Sequence, residues 1–186
     1  QGLFESVSGA RMMHNYFRIG GLKEDVPDDF VHQVREVLDL VKKDTEESDK
    51  LLSFNEIFLA RLKNIAVMSA EDAIDFGLTG PCLRASGVDY DVRKAAPYSV
   101  YDRFDFDVPI GLDGDCWDRY YLRVQEVYQS IRIVEQALEQ LPSGDVASSL
   151  GRRLLRPPAG EVYVRGENPR GELGVYLNSD GTDRPY

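Results

Sequence analysis

The sequence predicts a mainly α-helical α+β fold in which a helical bundle carries a small C-terminal β-hairpin. Apolar residues recur at helical spacing over 30–49 and again over 117–141. Two short β-patterned segments follow, near 161–165 and 172–177, separated by a Gly- and Pro-bearing turn. Between the helical stretches lies an aperiodic region rich in Gly, Pro and Asp.

Taken in order, the run that starts at Asp25 supplies N-cap candidates, a Pro suited to the first helical turn and carboxylates that favour the positive end of a helix dipole. Phe30, Val34, Val37, Leu38 and Val41 then set a helix that reaches about Asp49. Ser53 followed by Glu56 reads as a capping box, opening a helix to about Lys63 with Ile57, Leu59 and Leu62 expected inside. Ser69 with Asp72 repeats the signal more weakly, and Gly77 closes that short helix as its C′ residue. Residues 78–114 hold Pro81, Pro97 and Pro109 without a sustained period, and read as a long ordered loop or a set of short extended pieces. Loops of that length inside compact domains are uncommon and often functional.

The strongest helix follows Asp115. Trp117, Tyr121, Val124, Tyr128, Ile131, Val134, Leu138 and Leu141 form its expected seam, and Pro142, Ser143 and Gly144 stop it. The expected division is a helical bundle over 1–141 containing the loop 78–114, a linker over 142–160 and a β-hairpin segment over 161–186. Because amphipathic sequence begins at once after Gln1, the chain reads as a piece of a longer protein.

Composition narrows the function classes. The 186 residues, 42% of them hydrophobic, suffice for a core, and a sequence this apolar is not disordered by default. With 22 Lys and Arg against 32 Asp and Glu, the formal net charge is −10, which repels phosphate backbones and argues against nucleic acid as a partner. Cys82 and Cys116 match no CxxC, zinc or iron–sulfur spacing, and a reducing compartment is the simpler reading. No stretch of about 18 apolar residues occurs, so no direct membrane span is expected.

Several constellations have plain structural explanations. Gly166, Gly171 and Gly174 fit a hairpin better than a phosphate cradle, since Glu172 stands where a P-loop needs Lys. Asp113, Asp115 and Asp118 fit helix capping better than an EF-hand, because Trp117 and Tyr120 occupy positions that the calcium loop reserves for a ligand and for Gly. His14 and His32 are the two histidines; His32 reads as a surface or boundary residue, and His14 is either structural or a lone titrating group able to serve a proton relay. Residues 84–94 (RASGVDYDVRK) gather three cations and two carboxylates, as either a solvated face or an ordered ion-pair network.

Residues 8–21 (SGARMMHNYFRIGG), 83–94 (LRASGVDYDVRK), 114–120 (GDCWDRY) and 170–177 (RGELGVYL) together closely resemble the D subunit of respiratory complex I, with 179–186 (SDGTDRPY) similar to a fifth family motif. The resemblance covers nearly the whole chain. It implies a fold like that of the large subunit of nickel–iron hydrogenases, without that enzyme's metal-binding cysteines. It further implies a place beside the quinone-reducing chamber of a proton-translocating NADH:quinone oxidoreductase, next to the terminal iron–sulfur cluster of a neighbouring subunit.

On this resemblance the substrate is a quinone at a shared site, with NADH and the iron–sulfur clusters held only by other subunits. The partners are the iron–sulfur subunits of the peripheral arm and the quinone-channel membrane subunit. The location is the cytoplasmic face of the membrane, as a peripheral part of a membrane complex. Arg11, His14, Arg18, Arg84, Asp89, Asp91 and Arg93 are the expected quinone-site or proton-relay network, with no catalytic residue and no metal ligand in the chain itself. Buried charge beside a redox cavity must be paired.

The family's quinone-headgroup His and Tyr correspond to positions before Gln1. Met13 stands where many members carry a His, and His14 does not inherit that role automatically. The 12–21 motif is also similar to the cyanobacterial and chloroplast branch, which takes electrons from ferredoxin. Between Pro142 and Val162 the chain is shorter than in many members. The alternatives to a quinone-chamber subunit are a hydrogenase-like scaffold or assembly protein and the large subunit of a membrane-bound hydrogenase.

Overall fold

The structure is a computed structural model that describes residues 1–148 and 156–183. The middle of the expected linker and the end of the 179–186 motif lie outside the described residues. Helices dominate, with two small antiparallel hairpins.

The chain opens with α1 (Gly2–Ser8), closed by Gly9 in the left-handed region. A hairpin that hydropathy does not reveal follows, β1 (Phe17–Arg18) paired with β2 (Gly21–Leu22). Its second strand also takes up the chain beyond the last helix: Leu22 N–H donates to the Val146 carbonyl at 2.9 Å and Ser148 N–H to that of Gly20 at 2.8 Å. Gly21 permits this, since a Cβ there would sit 2.7 Å from the Ala147 Cα.

Helix α2 (Phe30–Ser48) starts just after Asp29 and continues into one π turn, Asp49–Ser53, rather than ending at Asp49. The expected capping box at Ser53 does not form. Ser53 is buried inside the π turn, bonded to the Tyr120 hydroxyl at 3.0 Å, and its carbonyl accepts from the Trp117 indole at 2.8 Å. Asn55 caps α3 (Glu56–Leu62) instead, its side chain accepting from the Ile57 and Phe58 N–H groups. Ile57, expected inside, is exposed.

Helix α4 (Ala70–Asp75) follows the expected signals at both ends. The Ser69 hydroxyl accepts from Asp72 N–H, and Gly77 in the left-handed region completes a Schellman stop, with Leu78 N–H donating to the Ala73 carbonyl and Gly77 N–H to that of Ile74. Residues 78–114 are not one loop. They hold α5 (Gly80–Ala85), α6 (Val92–Ala95) and a 3-10 turn over Tyr101–Arg103. Phe104 and Phe106 of this region pack on Ile133, with Val100, Tyr101, Val108 and Ala137 around them.

Helix α7 (Cys116–Glu139) is the spine, packed by both α2 and α5. Its buried positions include Ile131 of the expected seam, but also Asp118, Leu122 and Ile133 on an adjoining face, while Trp117, Tyr121 and Val124 of the seam are only half-buried. The reason is that α5 and the 111–114 segment meet α7 through polar groups. Asp115 accepts from Asp118 N–H through one carboxylate oxygen and from Asn64 N–H through the other. Asp118 accepts from the Leu112 and Asp113 N–H groups at 2.8 and 2.6 Å. Further along, the Gln129 and Gln136 amides bond the backbone of Asp107 and Asp105, replacing a missing strand partner with side chains.

The C-terminal hairpin pairs β3 (Gly160–Asn168) with β4 (Gly171–Ser179) across a two-residue turn. It docks by its turn end onto the start of α5, leaving the aliphatic residues Val162, Val164, Val175 and Leu177 about half exposed. No helix among the described residues is long and apolar enough to cross a membrane.

Asp115→Ala removes the α7 cap and the acceptor for Asn64, and is expected to cost about 1–2 kcal/mol, read by urea unfolding through Trp117. Asp113→Ala, at an exposed neighbour, should stay within about 0.5 kcal/mol of wild type; equal costs at the two positions would contradict the capping assignment.

Candidate functional site

The densest buried polar arrangement forms around Arg84 on α5, whose side chain is 1% exposed. An isolated guanidinium at such depth would be prohibitively costly, so its donors must all be met. Nε and Nη2 both donate to Oε1 of Glu126 on α7, at 3.0 and 2.5 Å. Nη1 donates to the Tyr90 carbonyl at 3.1 Å and lies 3.5 Å from the Asp91 carboxylate. Nη2 also donates to Glu167 of β3 at 3.2 Å. One side chain thus joins α5, the turn before α6, α7 and the hairpin.

Asp91 caps α6 and is itself gripped by Arg93, whose Nε and Nη2 donate to the two carboxylate oxygens at 3.0 and 2.6 Å. The Arg93 guanidinium in turn lies over the Phe106 ring, 5.0 Å from its centroid, which ties the ion pairs to the aromatic core. A second small network adjoins the first. The Tyr90 hydroxyl donates to Glu172 of β4 at 2.6 Å, and Arg165 reaches both.

Three carboxylates, Asp91, Glu126 and Glu167, therefore face two guanidiniums, Arg84 and Arg93. Burial, the nearby Asp91 charge adding to it, pushes the Glu167 carboxyl above its ordinary value against the opposing pull of Arg84. Burial acts the same way on Asp91, but there the hydrogen bonds and charge of Arg93, with Arg84 behind it, win and hold the carboxyl below its ordinary value. Within one cluster, one carboxyl is thus shifted down and another up.

A cavity of about 520 Å³ opens onto this cluster between α2, α7 and the hairpin turn. Leu38, Val41, Ile131 and Val134 supply apolar wall, while Arg84, Arg93, Glu126 and Glu167 supply its polar side. Apolar side chains thus face one side of the cavity and paired charges the other.

Of the residues singled out from sequence, Arg84, Asp91 and Arg93 come together here. Asp89 is exposed and outside the cluster. Arg11, His14 and Arg18 belong to the N-terminal segment: Arg11 makes an exposed pair with Glu5, Arg18 Nε donates to the Asn15 carbonyl, and His14 Nδ1 lies 2.9 Å from the Ala10 carbonyl and 3.1 Å from the Ser8 hydroxyl. Glu126 and Glu167 escape sequence reasoning because they lie 42 and 83 positions from Arg84. Among the described residues, no three His, Cys, Asp or Glu side chains converge as a metal ion requires. With two cysteines in the sequence, this chain lacks the four thiolates of an iron–sulfur cluster.

Comparison with known proteins places these features in context. A family model described as the respiratory-chain NADH dehydrogenase 49 Kd subunit matches residues 1–156 and 148–186. The NADH-quinone oxidoreductase D subunit of Desulforamulus reducens is 48% identical over 184 residues, covering 99% of this chain and 50% of that protein. The corresponding D 1 subunit of Roseiflexus sp. (strain RS-1) is 49% identical over 191 residues, covering 99% of this chain and 51% of the relative. The D subunit of Bacillus mycoides is 47% identical over 184 residues, covering 99% of this chain and 50% of the relative. The chain spans about half the length of the curated relatives it matches.

Arg84→Met strands buried carboxylates and is expected to destabilise the chain by about 3–5 kcal/mol, measured by urea unfolding. The pH dependence carries the sign of each acid. Glu167 ionises near 4.5 when unfolded and only at higher pH when folded, so its contribution is favourable at low pH and lost as pH rises from 4.5 through the folded value. Asp91 works oppositely: its contribution is present above 3.8 and lost as pH falls through its depressed folded value. Glu167→Gln should therefore flatten the fall in stability on the alkaline side of 4.5; an unchanged slope would contradict the assignment.

Proposed function

The chain belongs to the family of the respiratory-chain NADH dehydrogenase 49 kDa subunit, and from that premise we propose that it shapes the quinone chamber of a proton-translocating NADH:quinone oxidoreductase. The observation that carries this reading is the buried Arg84 cluster, with one carboxyl shifted down and another up, beside an apolar-walled cavity.

Reduction of a quinone to a quinol takes up two electrons and two protons per ring. In this reading an iron–sulfur cluster held by a neighbouring subunit would supply the electrons. What this chain contributes is the surroundings. Arg84 and Arg93 fix the Asp91 and Glu126 side chains in place, and Glu167, its carboxyl raised above the ordinary value by burial, joins the same network through Arg84. In this reading Arg11, His14 and Arg18, on the N-terminal segment, are further candidates for the chamber's polar surroundings, apart from the Arg84 cluster. The scaffold is like the large subunit of nickel–iron hydrogenases.

The partners in this reading are the iron–sulfur subunits of the peripheral arm and the quinone-channel membrane subunit. The chain sits peripherally, on the cytoplasmic face of the membrane. The electron donor is NADH, as the names of the relatives suggest, with ferredoxin the alternative.

In the assembled complex, Asp91→Asn releases the grip of Arg93 and should lower quinone reduction about tenfold, equivalent to about 1.4 kcal/mol in the barrier. Turnover assays with a short-chain quinone, alongside a check of complex assembly, provide the measurement. Unchanged turnover with a lower melting temperature would reduce the cluster to a structural device.

A further inference from the structure

We propose that Thr79 and Tyr98 are positioning residues of the Arg84 cluster: their hydroxyls grip one rung of the C-terminal hairpin from its two open edges and so hold Glu167 and Glu172 in place. The proposal rests on the reading that the cluster serves quinone reduction.

Glu167 and Glu172 stand directly opposite each other, one rung from the two-residue turn. In antiparallel geometry, the rung after the hydrogen-bonded pair that closes such a turn points both backbone N–H groups away from the partner strand. On a two-stranded ribbon those groups ordinarily go to water. Here each meets a side chain instead: Glu167 N–H donates to the Tyr98 hydroxyl oxygen at 2.9 Å, and Glu172 N–H to the Thr79 hydroxyl oxygen at 3.0 Å.

The backbone is cut to fit this grip. A Cβ on Gly171 would stand 2.8 Å from the Thr79 carbonyl carbon and 2.9 Å from the Gly80 nitrogen, and one on Gly80 would stand 2.6 Å from the Gly171 nitrogen. Both contacts are closer than any real side chain tolerates, so two glycines are needed for the hairpin turn to seat on the first residues of α5. On the other edge, the Tyr98 ring lies across Gly166, where an added Cβ would come within 3.3 Å of it.

The grip answers a specific electrostatic problem. Two carboxylates directly opposite on one face repel and tend to splay the rung. Their side chains are drawn to separate cationic partners, Glu167 to Arg84 and Glu172 to Arg165 and the Tyr90 hydroxyl. The backbone beneath them is fixed by the two hydroxyls. The Arg84–Glu167 bond, at 3.2 Å, already lies at the long end of the hydrogen-bond range, so a small rotation of the rung breaks it.

The test uses the assembled, full-length complex. Thr79→Val and Tyr98→Phe are each expected to lower quinone reduction by about three- to tenfold, the effect of one lost hydrogen bond, and to displace its pH profile. Thr79→Ser, which keeps the hydroxyl, should restore both. Electron transfer from NADH to a water-soluble acceptor that draws electrons before the quinone should stay at the wild-type rate. Wild-type quinone reduction and pH profile in both hydroxyl-deleting variants overturn the proposal. A parallel loss of both activities, or no rescue by Thr79→Ser, assigns the residues to folding and also overturns it. If Asp91→Asn is equally silent, the functional reading falls with it; if Asp91→Asn impairs quinone reduction and the hydroxyl variants do not, only the positioning role falls.

Discussion

Arg84 takes a permanently charged guanidinium almost wholly out of water, and the surrounding chain is arranged by what that charge requires. Its donors have a fixed planar geometry, so the acceptors must come from fixed directions. They come from α7, from the turn before α6 and from the hairpin, segments far apart in sequence. Burial of one charge thus takes the place of a core in a region where apolar packing is thin: β3 and β4 are about half exposed on both faces, and their turn end is held by polar contacts.

The same constraint makes the cluster sensitive to charge. Burial, with the Asp91 charge adding to it, raises the Glu167 carboxyl, while the Arg93 fork holds that of Asp91 down. A cluster built this way shifts two neighbouring carboxyls in opposite directions, and this is the property on which the proposed function draws. The aromatic shelf under Arg93 ties any movement of the cluster to the Phe104–Phe106–Ile133 core.

Much of the helical framework is legible in the sequence, because it rests on local signals. Asp115 before a long apolar period, Ser69 with Asp72, and Gly77 at a helix end each act within one turn of chain. The β3–β4 hairpin is legible for the same reason. What escapes is non-local. Helices α5 and α6 are too short to show a period, although Pro81 in the first turn of α5 is a start signal in retrospect. Hydropathy finds Ile131 but misses a second buried face of α7, because that face carries Asp118 and Glu126, whose burial depends on N–H groups and a guanidinium elsewhere in the chain. Asp91 and Arg93, two residues apart, are visible as a pair; Glu126 and Glu167 are not, since nothing in their own neighbourhoods marks them as partners of Arg84.

Energetic coupling between Arg84 and Glu167 ties the helices to the hairpin. A double-mutant cycle on unfolding free energy, with Arg84→Met, Glu167→Gln and the pair, measures that coupling, and a value of about 1–3 kcal/mol is expected. Additivity within about 0.5 kcal/mol would mean that the hairpin is held by its backbone contacts alone, and would contradict the coupling.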